Sequence, residues 1–195
     1  MIKVGLTGGI GSGKTLVSEV FIRLGIPVFN ADNEAKAILN KDTEVISQIK
    51  KEFGENIYSA EGVDRQKLAE IVFNNPQALS KLNAIIHPRV HQYFYEWLKR
   101  QDAKYVIEEA AILFESNAYK ELDITINVHA DELVRINRVV KRDNTTEEAV
   151  KSRMKNQMSD GERIKLADYT IYNNGDKMLL PQILEIHQNI LNKMK

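Results

Sequence analysis

Residues 8–15 read Gly-Gly-Ile-Gly-Ser-Gly-Lys-Thr, and this octapeptide restricts what the chain can fold into more than any other stretch. It satisfies the pattern G-x-x-x-x-G-K-S/T. Before it stands a short β-rich run, Ile2 to Leu6; after it, Leu16, Val17, Val20, Phe21 and Leu24 recur at helical spacing. Glycines allow the backbone to bend tightly enough to aim successive N–H groups at phosphate oxygens, and the helix beginning near Lys14 adds the positive end of its dipole. Lys14 supplies a compact cation for β- and γ-phosphates, and the Thr15 hydroxyl is a ligand for Mg²⁺. The expected nucleotide-binding set is Gly9, Gly11, Ser12, Gly13, Lys14, Thr15 and Leu16. The alternative is a glycine-rich turn that binds nothing; the complete motif in its strand–loop–helix setting favours the phosphate site.

The apolar run Ile2 to Leu6 suits a strand buried on both faces of a parallel sheet. Gly25 sits where the first helix should end, and Ile26 to Phe29 reads as a second strand, so the opening is a βαβ unit. From Asp32 to about Arg100 apolar residues fall at helical spacings, punctuated by Gly54, Gly62, Pro76 and Pro88, which reads as a helical insertion. Strand signals return at Tyr105 to Ile107, Ile124 to Val128 and Tyr169 to Tyr172. A charged helical stretch rich in Lys and Arg runs from Glu132 to about Lys165, and a last helix runs from Leu179 to Met194. The expectation is a five-stranded α/β core with two helical excursions. Glu108 and Glu109 stand at the C-terminal end of the third core strand, the edge that faces the ligand crevice of a parallel sheet. A carboxylate there would hold Mg²⁺, although adjacent glutamates are also common as surface charge.

Several segments together resemble the dephospho-CoA kinase family. They are Leu6 through Lys14; Gly25-Ile26-Pro27-Val28 followed by Ala31-Asp32; Leu82-Asn83-Ala84-Ile85-Ile86-His87-Pro88; Leu113-Phe114-Glu115; Arg138 through Arg142-Asp143; Gln157; and Ala167-Asp168 with Asn173-Asn174-Gly175. Three positions depart from the family pattern. Its usual Asp-Ala-Asp reads Asn30-Ala31-Asp32, a usual arginine is Lys36, and the usual Asp ahead of Leu-Phe-Glu is Glu109, which keeps a carboxylate and favours Glu109 over Glu108 on the metal side. Lys36 would meet a phosphate as a point charge, without the bidentate fork of arginine.

The resemblance implies a P-loop kinase fold: a five-stranded parallel sheet flanked by helices, a helical acceptor-binding insertion and a helical lid. The corresponding divisions are residues 1–29 with 101–134 and 166–195 for the nucleotide core, 30–100 for the insertion and 135–165 for the lid. The implied reaction is transfer of the ATP γ-phosphoryl group to the 3′-hydroxyl of dephospho-CoA. Asp32 is then the residue that orients the hydroxyl and takes its proton; the competing reading is a helix N-cap. Arg138 and Arg142, four apart, would close over phosphates from one helix face, against the alternative of a solvated charged helix. Asn173, Asn174 and Gly175, which follow the last strand, would form a loop near the adenine. Lys36, Arg65, Lys81 and Arg89 are the available cations for the acceptor pyrophosphate. His87 and His91 fall four apart, but Pro88 lies between them and no third ligand is evident, so His87-Pro88 reads as the start of a helix. Val90, Phe94, Trp97 and Leu98 fit one helix face and read as core.

Charge and composition narrow the alternatives. Twenty-seven basic residues balance 27 acidic ones, which argues against nucleic-acid or anionic-membrane binding, and the absence of cysteine excludes thiolate metal sites and thiol nucleophiles. No run is long enough for a signal or membrane segment, so a cytoplasmic protein, a monomer or weak homo-oligomer acting on ATP and dephospho-CoA, is expected. Another small-molecule kinase is disfavoured by Leu-Asn-x-x-x-His-Pro, and a GTPase switch by the lack of Asn-Lys-x-Asp.

Overall fold

The computed structural model describes residues 1–73 and 75–193; the expected end of the last helix at Met194 lies outside them. In chain order the elements are β1 (Ile2–Thr7), α1 (Lys14–Arg23), β2 (Val28–Asn30), α2 (Ala31–Lys41), α3 (Thr43–Phe53), β3 (Tyr58–Ser59), β4 (Gly62–Val63), α4 (Arg65–Phe73), α5 (Pro76–Leu98), β5 (Tyr105–Glu109), β6 (Ile124–His129), α6 (Glu132–Asp143), α7 (Glu147–Met154), α8 (Asp160–Leu166), β7 (Tyr169–Tyr172) and α9 (Leu179–Asn192). They form two compact units, Met1–Phe29 with Gln101–Lys195, and Asn30–Arg100.

The first unit is built on a five-stranded parallel sheet in the order β2-β5-β1-β6-β7. Its register places Val4 beside Ile107 and Ile124, and Leu6 beside Glu109 and Ile126. Partners in register point to the same face, so Val4, Leu6, Tyr105, Ile107, Ile124 and Ile126 present one apolar surface. Val17 and Phe21 of α1 and Ile183, Ile186 and Ile190 of α9 cover it, and all of them are buried. Phe21 meets Tyr105 edge-on, with ring centroids 6.5 Å apart. Burial of each such side chain contributes about 1.5–3 kcal/mol.

The second strand begins later than the apolar run Ile26 to Phe29 predicts. Pro27 has no N–H for a ladder, and only its carbonyl engages β5, accepting from the Ile107 amide at 2.9 Å. The charged stretch 132–165 is broken into three helices. Asn144, at φ 49°, ends α6; Thr146 caps α7 by accepting the Ala149 amide; Ser159 and Glu162 form a capping box at the start of α8. Ile136, Val139 and Val150 make a small core there, and Ile10 of the glycine loop packs against it.

The second unit carries α2 to α5 and an antiparallel hairpin, β3–β4, which periodicity alone does not reveal. Asn40 accepts the Val63 amide at 2.8 Å and the Tyr58 hydroxyl donates to the Leu39 carbonyl at 2.8 Å, so the hairpin is held by α2. The expected helix start at His87-Pro88 is corrected: Pro88 lies inside the 23-residue α5, which begins at Pro76 with Asn75 as its cap. An interior proline removes one hydrogen bond and crowds the preceding turn. The apolar stripe Ala78, Leu82, Ile86, Val90 and Phe94 nevertheless continues on both sides of it, all buried, and keeps the helix continuous. Trp97 and Leu98 of the same face are half-buried.

Candidate active site at the phosphate loop

The loop between β1 and α1 is held from outside by side chains. A trans peptide points its C=O and N–H in opposite directions, so residues that capture carbonyls also aim amides. The Gly9 carbonyl accepts from the Ser12 amide at 3.0 Å. Arg135 Nη1 reaches the Ile10 carbonyl and Arg138 Nη1 the Gly11 carbonyl, both at 3.5 Å, and Asn173 Nδ2 donates to the Ser12 carbonyl at 2.7 Å. Gly13, at φ 97°, precedes the first residue of α1; a side chain there would be strained and would strike Asn173. Gly9 has Arg135 and Arg163 so close that a Cβ would collide with both guanidinium groups.

Lys14 Nζ lies 3.1 Å from the Gly8 carbonyl, to which it donates. Together with Gly9, Gly11, Gly13 and Thr15 it lines a cavity of about 230 Å³ that Arg138 and Arg142 also border. Arg138 is fixed by the Asn173 carbonyl, 2.9 Å from its Nη2. Arg142 is exposed and forked onto Asp143, with Nε–Oδ1 at 2.7 Å and Nη2–Oδ2 at 3.1 Å; Asp143 also takes Arg153 at 3.2 Å. The hydrogen bond to Asp143 outweighs partial burial and raises the Arg142 pKa further, while Asp143 is held below the usual carboxylate range, chiefly by Arg142.

The remaining expected residues are distributed as follows. Glu109, 4% exposed, is the last residue of β5 and shares with Leu6 the sheet face covered by α1; Glu108 pairs with Gly5 and so belongs to the opposite face. Leu16 is half-exposed on the first turn of α1, outside the cavity lining. Asn174 Oδ1 accepts the Asp131 amide at 2.8 Å, ahead of α6. Asp32 follows β2 on the first turn of α2, where the cap is Asn30, whose Oδ1 accepts the Asn33 amide at 2.8 Å. The capping reading of Asp32 is therefore replaced. Three of the four acceptor-side cations have partners within the same unit, and Arg65 Nη2 reaches the Lys36 carbonyl at 3.5 Å. Arg89 bonds Asp42 and Gln92, and Lys81 bonds Glu52.

Three residues at the loop were not assigned an individual role from sequence, Arg135, Arg163 and Gln157, and Asn173, expected in a loop near the adenine, holds the Ser12 carbonyl. Arg135 and Arg163, 4% and 2% exposed, share Asp160, which lies 2.5 Å from Arg135 Nη2 and 2.6 Å from Arg163 Nη2. Burial lowers the Arg135 pKa against the pull of Asp160, but arginine stays charged. Gln157 Oε1 accepts the Ile10 amide at 2.9 Å. Among the described residues no group of three or more His, Cys, Asp or Glu side chains converges on a metal position, and no helix is long and apolar enough to cross a membrane.

A glycine loop whose carbonyls are held by side-chain donors, opening α1 on a parallel sheet and bordered by arginines of α6, defines a P-loop kinase. The model of the dephospho-CoA kinase family, CoaE, matches residues 2–178. A dephospho-CoA kinase of Bacteroides fragilis is 38% identical over 186 residues, 95% of this chain and 91% of that protein. Among solved structures, TT1252 from Thermus thermophilus superposes with a TM-score of 0.86 at 32% identity, covering 100% of this chain and 98% of its own. Dephospho-CoA kinase from Campylobacter jejuni gives 0.70 at 27% identity, covering 99% and 98%. The chain belongs to the dephospho-CoA kinase family, whose members are ATP-dependent phosphotransferases.

Proposed function

We propose that this chain transfers the γ-phosphoryl group of ATP to the 3′-hydroxyl of dephospho-CoA, releasing CoA and ADP. The bond from the ribose 3′-oxygen to phosphorus forms, the bond from phosphorus to the β–γ bridging oxygen breaks, and the hydroxyl proton passes to Asp32. The observation that carries the reading is the cavity bordered by the phosphate loop, Lys14, Arg138 and Arg142. Such transfer asks the protein mainly for positioning and charge neutralisation. Loop amides and Lys14 hold the β- and γ-phosphates. Arg138 is already fixed beside the loop, whereas Arg142 is exposed and must exchange Asp143 for phosphate oxygen as residues 135–165 close as a lid.

The donor set fits a hard divalent cation, since the Thr15 hydroxyl and the Glu109 carboxylate offer oxygen only. When bound, Mg²⁺ neutralises charge on the β- and γ-phosphoryl oxygens. Asp32 as proton acceptor rests on the family pattern and on its position directly after β2, with the cap supplied by Asn30. The acceptor-binding role falls to residues 30–100, where Lys36 is exposed. The test is a substrate panel with purified protein, ATP and Mg²⁺. The expected result is phosphorylation of dephospho-CoA, with a mass gain of one phosphoryl group on the ribose, and none of nucleoside monophosphates or sugar acids. Turnover of another acceptor at a higher rate overturns the reading.

A further inference from the structure

The Gly9–Ile10 peptide is pinned at both ends. Its carbonyl accepts the Ser12 amide within the loop, and its N–H donates to Gln157 Oε1, 147 positions away in sequence. Because C=O and N–H are rigidly antiparallel across one peptide, these two bonds fix the plane of the group, and with it the direction in which the following loop amides point. Glycine at position 9 leaves that plane without steric restraint of its own, so the restraint comes from the partners. Ile10 adds a second anchor through its side chain, which packs against Ile136, Val139 and Val150.

Gln157 is itself firmly held between α7 and α8. Its amide donates to the Met154 carbonyl at 3.0 Å, and the next amide, Met158, donates to Glu115 Oε1 at 2.9 Å. Three residues on, Asp160 joins the buried Arg135 and Arg163 that flank Gly9. An acceptor on so anchored a segment loses little freedom in making its bond, which is the condition for preorganising a loop rather than following it.

We infer that Gln157 is a positioning residue for phosphoryl transfer: it acts through the Ile10 amide to set the phosphate loop in its anion-binding conformation. It touches no reacting atom, and it makes the loop geometry depend on the segment between α7 and α8. The inference rests on the kinase reading for its effect on turnover, and on the loop geometry alone for its effect on nucleotide affinity.

The test compares Gln157→Met, which keeps length and removes the acceptor, with Gln157→Glu, which keeps an acceptor oxygen. ADP affinity is measured by calorimetry without acceptor; kcat and KM are measured with ATP and dephospho-CoA. Gln157→Met is expected to weaken ADP binding about 10-fold and lower kcat/KM for ATP by about 10- to 100-fold, because an amide loses its partner and the loop its alignment. KM for dephospho-CoA and the unfolding midpoint stay near parent values, and Gln157→Glu recovers ADP affinity to within about threefold. Parent-like ADP affinity in Gln157→Met overturns the inference. So does a loss that Gln157→Glu fails to recover. A parent protein that binds ADP but does not phosphorylate dephospho-CoA would defeat the kinase reading, while the affinity comparison would still decide the role of Gln157.

Discussion

At the start of α2, Asn30 accepts the Asn33 amide and leaves Asp32, two residues on, outside the cap. The family's usual acid at position 30 is thus replaced by a residue that caps equally well, and Asp32 is the retained acid to which we assign the proton-accepting role. Asp32→Asn is expected to lower kcat by about 10²–10⁴, the usual contribution of a positioned general base, with the unfolding midpoint unchanged. Stopped assays paired with thermal melts check both. Asp42 shows the opposite use of a carboxylate. Burial pushes its pKa up, but the hydrogen bond from Arg89 at 2.6 Å, the Val45 amide and the charge of Arg89 outweigh that and hold it below the ordinary value. The unfolded carboxyl, at about 3.9, therefore takes its proton before the folded one, so the stabilisation is full above that pH and is lost as pH falls through the lower folded value. Asp42→Asn is expected to flatten the stability profile below about pH 4 in urea titrations, and an unchanged slope would contradict the assignment. The position of Asp32 at the start of a helix after a strand was legible in the local pattern, while its proposed role came from the family resemblance. The engagement of Arg89 was not legible, because Asp42 lies 47 positions away.

The elements from α6 to α8 show where periodicity ceases to inform. The stretch reads as one charged helix, yet its breaks are set by a left-handed Asn144 and by Thr146 and Ser159 as caps. Its arginines divide by burial rather than by spacing. Arg138 and Arg142 border the cavity, whereas Arg135 and Arg163 are interior and share Asp160. Asp160→Ala leaves two buried guanidinium groups without their common anion, and is expected to lower stability by about 3–5 kcal/mol in urea unfolding. Arg142→Ala removes an exposed side chain paired with Asp143, so stability and ATP affinity should hold while kcat falls by about 10²-fold. Equal loss of ATP affinity and turnover would mean that Arg142 contacts phosphate already in the ground state. The α5 proline and the β3–β4 hairpin fall under the same rule. A stripe spaced by four carried the helix through Pro88, and contacts with α2 settled a hairpin that has only two residues per strand.

Across the molecule, the fold was legible wherever local pattern and topology coincide. A strand, glycine loop, helix and strand prescribe a parallel sheet, and later apolar runs supply its other strands. What local pattern does not carry is the layer behind the site. Asn173 meets the loop across 161 positions and Gln157 across 147, separations that no local periodicity spans. Asn173 takes a loop carbonyl and Gln157 a loop amide, so both tie the glycine loop to segments far along the chain. The measurement that tests this account most directly is CoA formation from ATP and dephospho-CoA by the parent and by Lys14→Ala, side by side. The parent is expected to make CoA in strict dependence on ATP, and Lys14→Ala to retain its circular dichroism and lose at least about 10²-fold in kcat. A folded Lys14→Ala protein that makes CoA within tenfold of the parent rate would contradict the account.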